Sequence, residues 1–225
     1  RNYFGKHPDV DRIMEACLQV MKELGAELVD PLELPDEALV EKTELEVLHY
    51  DFKHDLNAYL AGLGQSAPVH SLDEVIAFNL AHTDRVMPFF GQEHMLKARE
   101  KGPFSDAAYQ KALANNHKIA RTEGIDALQK THKLDAIVAP TGGPAWPIDW
   151  INGDHYGGSC STLPAVAGYP HITVPAGYIH GLPVGLSFFA GAYQEPALIR
   201  LAFAFEQATL VRRPPQFLPK VDFAT

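Results

Sequence analysis

Residues 134–190 read LDAIVAPTGGPAWPIDWINGDHYGGSCSTLPAVAGYPHITVPAGYIHGLPVGLSFFA, and this stretch decides the fold. It holds three short apolar runs: AIVA at 136–139, ITV at 172–174 and VGLSFF at 184–189. Their β-branched and aromatic residues suit a buried pleat, so each run is predicted to be a strand. Glycine and proline crowd the connections, where the chain must turn tightly or approach a ligand closely. The flanking sequence is mostly helical in period and is read as cover for this sheet. The fold class that follows is α/β, a mixed β-sheet covered by helices.

Upstream, residues 9–24 place Val10, Ile13, Met14, Cys17, Leu18, Met21 and Leu24 on one helical stripe, with Asp9 as the expected cap and Gly25 as the stop. AELV at 26–29 is read as a short strand. Residues 41–63 form the next helix, its expected buried stripe being Leu45, Leu48, Phe52, Leu56, Tyr59 and Leu60. Residues 71–81 open with Ser71 and Glu74 in capping-box spacing. A short helix is expected over 94–101. Residues 105–130 are read as the longest helix, despite the cost of Gly124 inside it. The last helix spans 195–211, with Pro196 in its first turn and Arg212-Arg213 at its end.

The 225 residues are 46% hydrophobic, enough for a single domain core over 1–225 or for part of a larger one. A formal net charge of −9 with no recurring basic patch argues against a nucleic-acid surface. No apolar run approaches the ~20 residues of a membrane-spanning helix. Two cysteines, Cys17 and Cys160, are too few for a disulfide framework and do not fix a compartment. The chain begins at Arg1, so the lack of a leader peptide here says nothing about secretion.

Eleven histidines raise the question of metal. None forms the i, i+4 pair with an acid between that a zinc-hydrolase helix uses, and His49 and His54 fall on different faces, so no metal and no cofactor are expected. Gly157-Gly158-Ser159-Cys160-Ser161 reads first as a Gly-Gly turn feeding a short helix at 162–167. Its alternative is a turn presenting Ser159 or Cys160 as a nucleophile, which requires a base nearby. Trp146 and Trp150 pack their own loop or wall a pocket beyond the strand at 136–139; in open α/β sheets ligands sit outside the carboxyl ends of strands. Candidate substrate-binding residues are therefore Thr141, Gly142, Trp146, Gly157, Gly158 and Ser159.

Three segments taken together, LDAIVAPT, LPAVAGYPHITVPAG and GLPVGLSFFAGAYQEPALIRLAFAFEQAT, resemble the C-terminal part of the amidase signature family. ELGAELVDPLELP resembles the family's segment after its catalytic core, and LHYDFKHDLNAYLA is similar to its peptide-amidase-like branch. The resemblance covers nearly the whole chain. It implies the C-terminal portion of an amidase signature fold and the hydrolysis of carboxylic amides by a Ser–Ser–Lys triad. In that triad one serine attacks, a second relays the proton and a lysine acts as base, while backbone N–H groups hold the oxyanion.

The family's Gly-Ser-Ser-Gly-Gly-Ser run is absent here, and no lysine matches the catalytic one. The resemblance therefore implies a chain without the triad, inactive alone. Members that bind a free amino acid carry an Asp ten residues before the Gly of Ala-Gly-x-Pro; counting back from Gly168 gives Gly158. A small uncharged amide or a C-terminally amidated peptide is thus the expected ligand. A chain cut from a larger sheet would expose an apolar edge that favours homo-oligomers. The rivals are an autonomous hydrolase using Cys160 or Ser159 and a non-catalytic binding module.

Overall fold

A computed structural model of the chain describes residues 1–217. In chain order the elements are α1 (Pro8–Glu23), a 3-10 turn (Glu37–Leu39), α2 (Glu41–Ala61), α3 (Leu72–Ala81), α4 (Thr83–Val86), α5 (Glu93–Arg99), α6 (Ala107–His117), a π-wound segment (Lys118–Ile125), α7 (Asp126–His132), β1 (Ile137–Pro140), α8 (Thr162–Ala167), β2 (His171–Ile179), β3 (Leu182–Phe189) and α9 (Glu195–Thr209). They gather into two compact units, one of residues 1–37 with 117 onward, the other of residues 38–116. No linker composition marks the second boundary, which falls inside a segment of helical period.

The first unit holds the sheet, in the order β1-β3-β2, antiparallel at both pairings. The mixed pairing expected from sequence takes antiparallel form throughout the described residues. For β2 and β3 the cause is local: only His180 and Gly181 join them, at φ 49° and 77°. Such a two-residue turn with both central φ positive joins antiparallel neighbours. Side chains alternate along β3. Val184, Leu186 and Phe188 enter a core with Val10, Met14 and Cys17 of α1 and Leu198, Ala202 and Phe205 of α9. A bulge between Pro175 and Gly177 bends β2. A Cβ on Gly177 would lie 3.1 Å from Ile13, so the bare backbone lets α1 pack close.

Four expectations are corrected here. Helix α1 is capped by His7, whose Nδ1 accepts from the Asp9 N–H at 3.3 Å, because Pro8 takes the first helical position. Residues 26–29 are not a strand but exposed coil with no paired strand among the described residues; the Ala26 N–H instead donates to the Met21 carbonyl at 3.0 Å. A groove of about 550 Å³ lies between this coil and β1. The long helix expected over 105–130 is divided, with Gly124 at φ −102°, ψ −109°. A Cβ there would meet the Ile119 carbonyl at 2.7 Å, so glycine permits the break.

The fourth correction concerns α2, in the second unit. Leu45, Leu48, Phe52 and Tyr59 are exposed, while Val47, His49, Tyr50 and Leu60 are buried. Polar tethers select that face. Tyr50 donates to Asp106 at 3.1 Å, the Lys53 ammonium binds the carbonyls of Arg99 and Lys101, and His49 Nε2 lies 3.1 Å from His94 Nδ1. Apolar packing in this unit centres on Leu72, Ile76 and Ala98. Ser71 caps α3 by accepting from the Glu74 N–H at 3.2 Å, whereas Glu74 reaches back to the His70 N–H rather than to Ser71.

The histidine pair gives a pH prediction. Burial first, then His94, Lys101 and Lys97, hold the His49 imidazole below its ordinary 6.5, opposed only by Glu46. As pH falls, the unfolded chain takes up this proton before the folded one. Titration of His49 therefore leaves stability unchanged above about pH 6.5, and stability declines below that value until the folded imidazole titrates. Urea midpoints followed by circular dichroism at pH 8 and pH 5 are expected to drop more in wild type than in His49→Gln. Equal drops would refute it.

Candidate functional site

Beyond the end of β1 the chain enters a loop that returns on itself. Gly142 pairs with Ser159 in an isolated antiparallel bridge, and Gly143 lies against Gly157 one step outward. The two glycine pairs let two backbone segments touch where side chains would hold them apart. A Cβ on Gly142 would sit 2.9 Å from the Gly158 carbonyl oxygen, and one on Gly143 would sit 3.4 Å from Gly157 Cα. This neck forms one wall of an open cleft of about 650 Å³, together with Pro140, His155 and Tyr156. The facing wall comes from the segment leading into α1 and from Pro35, Asp36 and Glu37.

Gly142, Gly157, Gly158 and Ser159 line this cleft. Thr141 and Trp146 stand behind it. Thr141 Oγ1 joins Thr173 Oγ1 at 2.6 Å and Ser187 Oγ at 2.8 Å, a hydroxyl cluster that crosses the sheet over Gly185. A Cβ on Gly185 would meet both threonine oxygens at 2.6 Å. Trp146 stands edge-on to Tyr156 at 6.1 Å and donates from Nε1 to Asp154. It thus braces a residue of the cleft rather than lining it. The loop tip carries Ile148, Trp150 and Ile151 into solvent beyond a turn in which Asp149 accepts from the N–H groups of Ile151 and Asn152.

The polar side chains of the facing wall were not found from sequence. Tyr3 donates to Glu37 Oε1 at 2.9 Å, and the Thr162 hydroxyl donates to the same carboxylate. Burial, then neighbouring Asp36, raises the Glu37 carboxyl above its usual range, while Tyr3, Thr162 and Lys6 oppose the rise. Burial and then the Glu37 charge push the Tyr3 phenol up, so it stays a donor. Asp11 accepts from the Gly5 N–H at 2.9 Å. Only the NYFGK turn before a helix, with Gly5 at φ 78°, hinted at this wall, and no local signal ties residue 3 to residue 37.

The two nucleophile candidates sit differently. Cys160 is fully buried, 3.9 Å from His171 Nε2. Burial raises the Cys160 thiol and lowers the His171 imidazole, so both rest neutral. A cysteine hydrolase needs the opposite, an exposed thiolate beside an imidazolium. Ser159 faces the cleft, and its Oγ lies 2.9 Å from Ser161 Oγ and accepts from the Ser161 N–H. Among the described residues no group of three or more His, Cys, Asp or Glu side chains is placed to hold a metal ion. None of the described helices is long and apolar enough to cross a membrane.

A small sheet with helices on its faces and a glycine-walled cleft beyond a strand end define an α/β protein with a candidate small-ligand site. The chain belongs to the amidase signature family, among its peptide-amidase-like members: the amidase family profile matches residues 1–199. A probable amidase of Arabidopsis thaliana is 37% identical over 213 residues, covering 92% of this chain and 38% of the plant protein. The native peptide amidase of Stenotrophomonas maltophilia superposes with a TM-score of 0.83 at 42% identity, over 92% of this chain and 41% of that one. An amidase family protein of Bacillus anthracis gives 0.73 at 28% identity, over 92% of this chain and 37% of its own. The chain thus spans about two-fifths of the length of these relatives.

Proposed function

We propose that these residues form one wall of the substrate cleft of an amidase that hydrolyses carboxylic amides, with C-terminally amidated peptides as its substrates. The observation that carries this reading is the cleft itself. Its Gly142/Gly143 and Gly157/Gly158 neck exposes backbone, which can receive an extended peptide. The likeness to the peptide amidase supports the substrate class. In this reading the Ser–Ser–Lys triad is not carried by this chain, since the family's serine run is missing from it and no lysine matches the catalytic one. Trp146 serves the cleft through Tyr156.

A second reading has one observation in its favour. Ser159 and Ser161 form a hydroxyl pair at 2.9 Å, and Lys6 lines the same cleft. That set would make Ser159 an attacking group within these residues. Ammonia release from an amidated peptide separates the two. The 225-residue chain alone is expected to give none. Turnover that is proportional to enzyme and lost in Ser159→Ala would establish the second reading and refute the first.

A further inference from the structure

The cleft has an acceptor that neither the family match nor the sequence singles out. Glu37 sits on the 3-10 turn at Glu37–Leu39 and faces the cleft from the wall opposite Gly157 and Gly158. Two neutral hydroxyls hold it in place, Tyr3 at 2.9 Å and Thr162. An ionised carboxylate offers about four lone-pair positions, so two donors leave it able to accept more. Among the described residues no ion pair closes on it within 4.0 Å; Lys6 acts on it only through its charge. The other charged residues on the cleft are Asp11 and Asp36, so acids outnumber the single lysine.

An acceptor fixed in that way distinguishes two chemically close groups. A carboxamide has N–H donors and no charge. The carboxylate left after its hydrolysis has neither donor nor neutrality, and it meets Glu37 as like charge against like. We propose that Glu37 is a specificity-determining residue that accepts a hydrogen bond from the carboxamide N–H of the substrate and rejects the free acid. This rests on the amide reading of the cleft given above. Glu37 then does two things with one charge. It orients the amide before reaction, and it turns against the product afterwards, which would keep product from occupying the cleft.

The test is calorimetric titration of the 225-residue chain with an acetylated dipeptide amide, the matching free acid and the matching methyl ester at pH 7.5. Wild type is expected to bind the amide about tenfold tighter than either of the others, the range of one charge-assisted hydrogen bond. Glu37→Gln keeps an acceptor for Tyr3 and Thr162 but gains a donor. It is expected to bring the amide-to-acid ratio close to one, mainly by tighter acid binding. Asp36→Asn removes a neighbouring charge and is expected to keep most of the ratio. An unchanged ratio in Glu37→Gln, or an ester that binds wild type as well as the amide, overturns the role of Glu37 and leaves the amide reading standing. Equal levelling by Asp36→Asn also overturns it, because diffuse charge would then suffice. Binding of none of the three ligands overturns the amide reading and this proposal together. The ester comparison needs no variant, so it decides the matter even if Glu37→Gln fails to fold.

Discussion

Phe189→Ala is expected to cost about 3–5 kcal/mol of stability, the range for removing a fully buried aromatic ring. Phe189 is 0% exposed and lies on the central strand β3. It is in register with Ile137 of β1 on one side and His171 of β2 on the other, and its ring stands edge-on to the His171 imidazole at 5.7 Å. Its loss removes contacts from all three strands at once. Ser187, two residues along the same face, is also fully buried and tied to Thr141, so it does not move in to fill the space. Phe203 is the control, since the same substitution at a 61% exposed position of α9 is expected to cost well under 1 kcal/mol. Urea midpoints measure both. A Phe189→Ala loss no larger than that of Phe203→Ala would mean that the sheet is not packed as described.

The parts of this fold that could be read in the sequence are those whose causes are local. Helix α1 follows from apolar residues at three- and four-residue spacing, α3 from the Ser71–Glu74 spacing at its start, and α9 from an apolar run with Pro196 in its first turn. Strands β2 and β3 follow from their β-branched and aromatic runs, whereas their antiparallel pairing about His180-Gly181 was not read. What could not be read depends on distant partners. AELV at 26–29 has strand composition, but a strand exists only beside another strand, and none pairs with it among the described residues. Helix α2 has enough apolar residues for two faces, and the choice between them is made by Asp106, His94 and the carbonyls of Arg99 and Lys101, 45 to 56 residues away. In the site, Gly142 and the 157–159 run stood out because glycine clusters announce close backbone approach. Tyr3 and Glu37 carry no such mark; they meet across 34 residues of chain.

Gly142→Ala is expected to weaken binding of an amidated dipeptide at least about tenfold and to lower stability by about 1–3 kcal/mol, the range for overpacking a close contact. The added methyl would sit 2.9 Å from the Gly158 carbonyl oxygen. That neighbour is backbone, so no side chain can swing aside. Relief requires the two sides of the loop neck to part, which breaks the Gly142–Ser159 bridge and moves Gly157, Gly158 and Ser159, all of which line the cleft. Gly153 separates this steric effect from a generic loss of glycine. It lies at φ 84°, but nothing is within 4 Å of its would-be Cβ. Gly153→Ala therefore costs only the strained backbone, about 1–2 kcal/mol, and is expected to leave peptide affinity within twofold. Wild-type affinity in Gly142→Ala would remove the glycine neck from the site. Equal losses in both variants would mean that the whole loop, rather than its neck, shapes the cleft.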